Sequence, residues 1–166
     1  MEDHLVVEME SFGRHIECVD VSRTIGWFTA LYPVAIRLDG SKISDQIKSI
    51  KESIRKVPEQ GIGYGILKRL NTKIKLYDSK VSEIRFNYLG QFGEEVSNGL
   101  FSYSNEYSGG DTSNKNHGTT RLEVNCLIVK GLLSLEFSCC NETFNAASVV
   151  LFKENFIKNM LWLLLL

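Results

Sequence analysis

The sequence predicts an α+β protein, a sandwich in which helices pack against one face of a mixed sheet. Three observations support this fold class. Several short segments alternate apolar and polar residues, which is the period of a half-buried strand. One segment repeats isoleucines at spacings of four and three, which is the period of a helix. Segments of both kinds are interspersed along a chain that is 43% hydrophobic, so a packed core is expected.

The chain opens with two predicted strands. Residues 4–10 alternate, with Glu8 and Glu10 on the face opposite the apolar one. Residues 25–36 form a mostly apolar run that predicts a largely buried strand. Pro33 lies in this run, and it marks an edge strand or a kinked one because proline cannot donate to a central ladder.

Residues 43–57 give the clearest helical pattern in the sequence. Ser41 or Ser44 is expected to cap the start of this helix, and Pro58 to end it. A glycine-rich turn then follows, and a short helix is expected over 65–70. The residues expected to point inward from that short helix are Ile66, Leu67 and Leu70.

The second half predicts a strand over 83–89, a long polar loop over 93–118, a hairpin over 121–139 with its turn at Lys130-Gly131, and a last helix over 145–160. Residues 1–160 therefore form one domain or one lobe of a larger domain. Residues 161–166 extend an apolar tail that is too short to span a bilayer. The tail either continues a buried helix or is aberrant sequence at a truncation point, and its lack of an amphipathic period favours the second interpretation.

Composition excludes several function classes. The net charge is −1 and no long basic block occurs, so we expect no nucleic-acid partner and no membrane attachment. None of the four cysteines pairs at C-x-x-C spacing, so no metal site is expected. Reduced cysteines that pack as small hydrophobic residues are typical of a cytoplasmic protein.

Four short segments carry a family resemblance, and they occur in a fixed order. They are Glu10-Ser-Phe-Gly-Arg14, Arg23-Thr-Ile-Gly-Trp-Phe-Thr29, Gly61-Ile-Gly-Tyr-Gly65 and Phe86-Asn-Tyr-Leu-Gly-Gln-Phe92. Together they resemble the C-terminal half of a condensation-type domain of a nonribosomal peptide synthetase, closest to the epimerization subtype. The resemblance implies one lobe of a chloramphenicol-acetyltransferase-like fold. The family's catalytic His-His-x-x-x-Asp-Gly motif belongs to the N-terminal half, and this sequence has no adjacent histidine pair.

The resemblance gives Glu10 the role of a general acid/base near the catalytic histidine. Gly13 and Arg14 also match the family pattern, whereas three positions depart from it, namely Ser11, Phe12 and His15. These departures weigh against intact catalysis. From the residues alone, Glu10 is interpreted as a solvated carboxylate on a strand.

The resemblance also nominates residues for the wall of a substrate tunnel. These candidates are Arg14, Trp27, Tyr64, Asn87, Tyr88 and Gln91. Asn87 and Gln91 have amides that suit hydrogen bonds to a substrate amide or to the pantetheine arm, or equally to neighbouring backbone groups. The alternative for Trp27 is a core aromatic. The segment before it is interpreted as a loop in which Asp20 pairs with Arg23. The Gly61–Gly65 segment lacks the Walker lysine, which disfavours a nucleotide site.

The function implied by the resemblance is epimerization at the α-carbon of an aminoacyl or peptidyl thioester. The substrate would be held on the phosphopantetheine arm of a carrier protein, and no cofactor would bind the domain directly. The implied partners are that peptidyl or acyl carrier protein and a complementary N-terminal lobe. Without that lobe we expect no epimerase activity. The alternatives are a fragment of a condensation domain, which forms amide bonds, and a non-catalytic remnant that binds carrier protein.

Overall fold

The computed structural model describes residues 4–17, 19–38, 42–71, 82–92, 120–139 and 144–165, with the single positions 104, 106, 107, 109 and 113. The elements in chain order are β1 (His4–Ser11), β2 (Ala30–Arg37), α1 (Ile43–Arg55), a 3-10 turn (Pro58–Gly61), α2 (Ile62–Leu70), β3 (Ile84–Phe92), β4 (Leu122–Val129), β5 (Leu132–Cys139) and α3 (Ala146–Leu164). None of the helices in these ranges is both long enough and apolar enough to cross a membrane.

The five strands form one sheet in the order β2-β1-β3-β4-β5. β1 pairs antiparallel with β2 and parallel with β3, and β4 pairs antiparallel with β5. The sheet is therefore mixed, and the predicted α+β class is confirmed. The chain divides into two compact units, Met1–Tyr88 and Leu89–Leu166.

In the first unit, one face of the β1–β2 pair forms the core. Val7, Tyr32 and Val34 lie on this face and are buried. Both α1 and α2 pack against β2. The other face of the same pair carries Glu8 and Glu10, and it is more exposed, since the β2 residues on that face are all accessible to solvent.

A left-handed turn connects the two helices of the first unit. Glu59, Gln60 and Gly61 have φ angles of 47°, 48° and 85° in succession. The hydroxyl of Ser11, at the end of β1, donates to the carbonyl oxygen of Gln60 at 2.8 Å. A Cβ on Gly61 would lie 2.0 Å from the ring of Tyr32, so only glycine fits this close approach.

The structure corrects the predicted boundaries of both helices. The residue before α1 is Lys42, which makes no side-chain cap bond, and Ser44 lies inside the helix; Ser41 is outside the described residues. α1 ends at Arg55, ahead of Pro58. α2 begins at Ile62 rather than 65, so most of the predicted glycine-rich turn is helical. The three residues predicted to point inward from α2 are exposed: Ile66, Leu67 and Leu70.

The second predicted strand starts later than expected. β2 begins at Ala30, and residues 25–29 are not part of the sheet. Ile25 and Trp27 are 101% and 91% exposed. The prediction of a largely buried run over 25–36, with Trp27 as a core aromatic, is therefore wrong in its first part. Tyr32 and Val34, in the second part, are buried as predicted.

A serine joins β1 to the start of β3. The Ser82 hydroxyl accepts the backbone N–H of Glu8 at 2.8 Å. It also lies 2.9 Å from the carbonyl oxygen of Val6 and 2.7 Å from that of Ile84, and it can donate to one of them at a time. Ser82 is buried, so this hydroxyl supplies the polar contacts that the strand edge would otherwise lack.

In the second unit, β4 and β5 form the predicted hairpin. Their register runs from Leu122↔Cys139 to Val129↔Leu132. Lys130 and Gly131 lie between the strands with φ angles of 49° and 77°, which suits a two-residue turn with both central residues left-handed. Three residues of β4 are buried in alternation, namely Leu122, Val124 and Cys126.

Helix α3 packs against β5 through aromatic rings. The ring of Phe137 lies edge-on to those of Phe152 and Phe156, with centroids 6.0 and 5.5 Å apart. The side chain of Asn145 accepts the backbone N–H of Ser148 at 2.7 Å and so caps the start of the helix. The helix extends to Leu164, four residues beyond its predicted end, so most of the apolar tail is helical. The predicted loop over 93–118 lies almost wholly outside the described residues.

Candidate functional site

Glu10 lies one residue before the end of β1, on the face opposite the buried core of the first unit. Its side chain is only 19% exposed. It is therefore not the freely solvated carboxylate that the residues alone suggested. A half-buried carboxylate on an accessible sheet face can accept a proton from a bound molecule and return it.

Arg85 from β3 reaches the same face and meets both glutamates of β1. It is the register partner of Glu8 in the parallel β1–β3 pair. Its Nε and Nη2 lie 2.7 and 2.6 Å from Oε2 of Glu8. Its Nε also lies 3.9 Å from Oε1 of Glu10. The three side chains form a charged cluster, which we call the Arg85 cluster.

Sequence reasoning missed Arg85. Its neighbours along the chain were assigned to a strand, but the pairing of that strand with β1 decides which residues meet. A parallel pair of strands that are distant in sequence leaves no local signal. The alternation of Glu8 and Glu10 signalled only that the two share a face.

Asn87 lies two residues beyond Arg85 in β3, so alternation puts it on the face of the Arg85 cluster. It is half-buried there. Tyr88 lies on the other face and is 44% exposed. Gln91 belongs to the second unit, where it is exposed. Of the candidates in β3, Asn87 shares a face with Glu10.

Arg14 holds the loop that leads into β2. Its guanidinium donates to three backbone carbonyl oxygens, those of Val21 at 2.8 Å, Thr24 at 2.9 Å and Gly26 at 3.4 Å. It also lies 4.4 Å from the ring centroid of Phe28, within the range of a cation–π contact. In this structure Arg14 therefore organises the loop over 19–29.

Two further contacts shape this loop. Gly13 has a φ of 61°, and a Cβ there would lie 1.6 Å from the carbonyl oxygen of Phe28, so the chain crosses itself closely. Asp20 accepts the backbone N–H of Ser22 at 2.9 Å instead of pairing with Arg23 as predicted. The hydroxyl of Ser22, and then its N–H, lower the pKa of Asp20 below the ordinary value.

The remaining candidates, Trp27 and Tyr64, lie outside the two strands that carry the Arg85 cluster. Trp27 projects from the loop that Arg14 holds. Tyr64 lies in α2, which packs on β2, and the Nζ of Lys68 is 5.9 Å from its ring centroid. Within the described ranges, no three His, Cys, Asp or Glu side chains converge to hold a metal ion.

Comparison with known proteins identifies the family of this chain. The family model of the condensation domain matches residues 1–164. Bacitracin synthase 3 of Bacillus licheniformis is 38% identical to this chain over 161 residues. The matched region covers 93% of this chain and 2% of that protein, so the chain corresponds to a small part of the relative. Tyrocidine synthase 1 of Brevibacillus parabrevis is 37% identical over 172 residues, which cover 95% of this chain and 16% of that protein.

Two solved structures share the fold. The epimerization domain from the third module of tyrocidine synthetase B superposes with a TM-score of 0.82 at 31% identity, over 94% of this chain and 36% of that one. The first condensation domain of the CDA synthetase superposes with a TM-score of 0.59 at 15% identity, over 93% of this chain and 33% of that one, which shows the fold alone. The mixed sheet and its helices are thus part of a chloramphenicol-acetyltransferase-like fold. The chain belongs to the condensation-domain family of nonribosomal peptide synthetases and corresponds to a fragment of a condensation-type domain.

Proposed function

We propose that this chain is part of an epimerization domain and that Glu10 is a general acid/base of the reaction. The substrate is an aminoacyl or peptidyl thioester on the phosphopantetheine arm of a carrier protein. The reaction removes the α-proton of the thioester and returns a proton to either face of the α-carbon. The partners are the carrier protein and a complementary N-terminal lobe, and no cofactor binds the domain directly.

The placement of Glu10 carries the proposal. An α-proton beside a thioester is weakly acidic, so its removal needs a base held in a fixed position within reach of the carbon. Glu10 is half-buried, lies near the end of a strand and faces away from the core of its unit. A carboxylate on a rigid strand suits proton transfer better than one on a mobile loop, because misplacement by about 1 Å can cost roughly 100-fold in rate.

The epimerization subtype draws support from the solved epimerization domain, to which this chain is 31% identical over 94% of its length. Glu10, Gly13 and Arg14 also match the epimerization pattern. Gly13 and Arg14 build the loop after Glu10, so these matches include residues with a clear structural role.

Condensation, which forms an amide bond, is the second candidate. The family model that matches residues 1–164 describes condensation domains, and both subtypes share this fold. A non-catalytic remnant that binds carrier protein is the third. The three candidates differ in the product that a complete domain would form.

A hybrid domain tests the proposal. This chain replaces the matched 36% of the solved epimerization domain. The hybrid receives aminoacyl carrier protein in deuterated buffer, and the deuterium at the α-carbon and the ratio of D to L residues are measured. We expect exchange and epimerization, and we expect Glu10→Gln to slow exchange by at least about 100-fold, the usual contribution of a general base.

Glu17→Gln is the matched control, since Glu17 is an exposed carboxylate in the following loop, and it should keep the exchange rate. The chain alone should show no exchange. An amide product from two carrier-bound substrates, without exchange, would establish condensation instead. A folded hybrid that binds carrier protein but forms neither product would support the third candidate, a non-catalytic remnant that binds carrier protein. If Glu10→Gln kept the exchange rate of the unsubstituted hybrid, Glu10 would not be a general acid/base of the reaction.

A further inference from the structure

We propose that Arg85 is the positioning residue for Glu10. Its guanidinium is anchored on Glu8 and fixes the orientation of the Glu10 carboxylate for proton transfer. This inference rests on the epimerization function proposed above and on the part that Glu10 plays in it.

Arg85 is itself held firmly. Two of its nitrogens, Nε and Nη2, converge on the single oxygen Oε2 of Glu8 at 2.7 and 2.6 Å. Two donors on one acceptor restrict rotation of the guanidinium more than one donor would, and charge-assisted hydrogen bonds of this kind are among the stronger ones. The two residues are also register partners in the parallel β1–β3 pair, so their backbones are fixed relative to one another.

The contact between Arg85 and Glu10 is of a different kind. The distance of 3.9 Å from Nε to Oε1 is too long for a hydrogen bond but within the reach of an ion pair. The side chains of Arg85 and Glu10 are 18% and 19% exposed, so solvent screens their attraction only in part. Arg85 therefore attracts the Glu10 carboxylate toward one orientation without a short hydrogen bond to that oxygen.

This difference divides the two glutamates by role. Glu8 gives one oxygen to two short contacts with Arg85, and its backbone N–H donates to Ser82. It is the anchor. Glu10 lies two residues closer to the end of β1, and it is the carboxylate to which the proposed function assigns proton transfer. The cluster thus provides one fixed carboxylate and one oriented carboxylate on the same face.

The first test measures exchange kinetics in the hybrid domain. Arg85→Met should lower kcat for α-proton exchange by about 10- to 100-fold, as expected for a misplaced base, with KM for aminoacyl carrier protein nearly unchanged. Arg85→Lys should recover part of the rate, because it restores a positive charge without the two-donor geometry. Arg55→Met removes an arginine from an exposed ion pair with Glu52 on α1, and it should keep the wild-type rate.

The decisive variant combines Glu8→Gln with Arg85→Met. It removes the charges of the anchor pair together, so no unpaired Glu8 carboxylate remains. If Arg85 only neutralises Glu8, the double variant should regain the wild-type kcat, and that result would overturn the proposal. If Arg85 positions Glu10, the double variant should remain about as slow as Arg85→Met. An unchanged kcat in Arg85→Met would also overturn it.

The two proposals fail in different ways. A Glu10→Gln hybrid that is slow beside an Arg85→Met hybrid at full rate rejects the positioning role and keeps the epimerization proposal. A Glu10→Gln hybrid at full rate rejects both proposals.

A second measurement uses this chain alone and needs no catalysis. The 13C carboxyl resonance of Glu10 at fixed pH should shift in Arg85→Met and in the double variant, and it should not shift in Arg55→Met. An unmoved Glu10 resonance in Arg85→Met would contradict direct coupling between the two side chains.

Discussion

Gly61 is constrained both by its backbone conformation and by a neighbouring aromatic ring. It follows two left-handed residues, with a φ of 85° of its own, and its α-carbon lies against the ring of Tyr32. A side chain on Gly61 would meet both a backbone penalty and a collision with a buried ring. The position therefore fixes how α2 starts relative to β2.

We expect Gly61→Ala to lower the free energy of unfolding by about 2 kcal/mol or more, from left-handed strain and the displaced ring. Gly63→Ala is the matched control. Gly63 lies inside α2, and a Cβ there would meet no heavy atom within contact distance, so alanine should stabilise the chain by about 0.5–1 kcal/mol. Urea unfolding followed by far-UV circular dichroism measures both. Equal effects of the two substitutions would show that the close approach to Tyr32 does not constrain the fold.

At the same scale, the family resemblance nominated Glu10, whereas nothing in the sequence pointed to Arg85 beside it. Glu10 and Asn87 were selected from family segments, and alternation placed each on a polar strand face. Arg85 was invisible because its role depends on a partner 77 residues away. Arg14 was assigned to a tunnel wall, whereas its contacts with loop carbonyl oxygens depend on a loop conformation that no local pattern encodes.

Among the elements, the contact between β1 and β3 depends on a buried hydroxyl. Parallel strands cannot be joined by a tight turn, so α1 and α2 intervene between them in the chain. Ser82 then bonds to both strands at the point where their pairing begins. The position of Arg85 opposite Glu8 follows from this register.

Ser82→Ala should lower the free energy of unfolding by about 1–3 kcal/mol, because it leaves the part-buried N–H of Glu8 without its acceptor. The amide proton of Glu8 should also exchange faster with solvent. Ser53→Ala is the control, since the Ser53 hydroxyl bonds only within helix α1, to the carbonyl oxygen of Ser49, and its loss should change stability by less than about 0.5 kcal/mol. If both serine variants behaved alike, the strand contact would not depend on Ser82.

The elements that the sequence predicted best are those whose signals are local. The hairpin was predicted with its turn at Lys130-Gly131, since alternation and the turn residues lie within a few positions of each other. Helix α1 was predicted from its isoleucine spacing. The segment over 25–29 was assigned to a strand because it is apolar, but Arg14 holds it outside the sheet. The contacts of the Arg14 guanidinium, and not the apolar pattern of residues 25–29, therefore determine the conformation of this segment.

On the scale of the whole molecule, stability should depend on pH at the alkaline end. Burial raises the pKa of Tyr32 and that of Cys126 above their ordinary values. Below those ordinary values both groups keep their protons in the folded and unfolded chain. As the pH rises past about 9, the unfolded chain loses these protons first, so the free energy of unfolding falls.

The urea midpoint should therefore be lower at pH 10 than at pH 8. The combined substitution Tyr32→Phe and Cys126→Ala should reduce this difference, whatever its effect at pH 8. Tyr107→Phe is the control, because Tyr107 is 88% exposed, and it should preserve the difference. If the difference in urea midpoint between pH 8 and pH 10 persisted in the combined variant, groups other than Tyr32 and Cys126 would cause the loss of stability at alkaline pH.

The overall fold class was predictable because the order of strands and helices limits how they can pack. The sheet order was not, since β3 lies beside β1 although two helices separate them in the chain. The family followed from segments with specific residues in a specific order.

The exposure of the tryptophans gives this protein a built-in optical reporter. Trp27 and Trp162 are the two tryptophans of the sequence, and both side chains face solvent in large part. Their emission in the folded state should already resemble that of indole in water, so unfolding should barely move it. A blue shift under native conditions would instead report that something has covered one of the two indoles. Loss of the blue shift in Trp27→Phe would assign it to Trp27, and its persistence would assign it to Trp162. Binding could then be followed by tryptophan emission without a label.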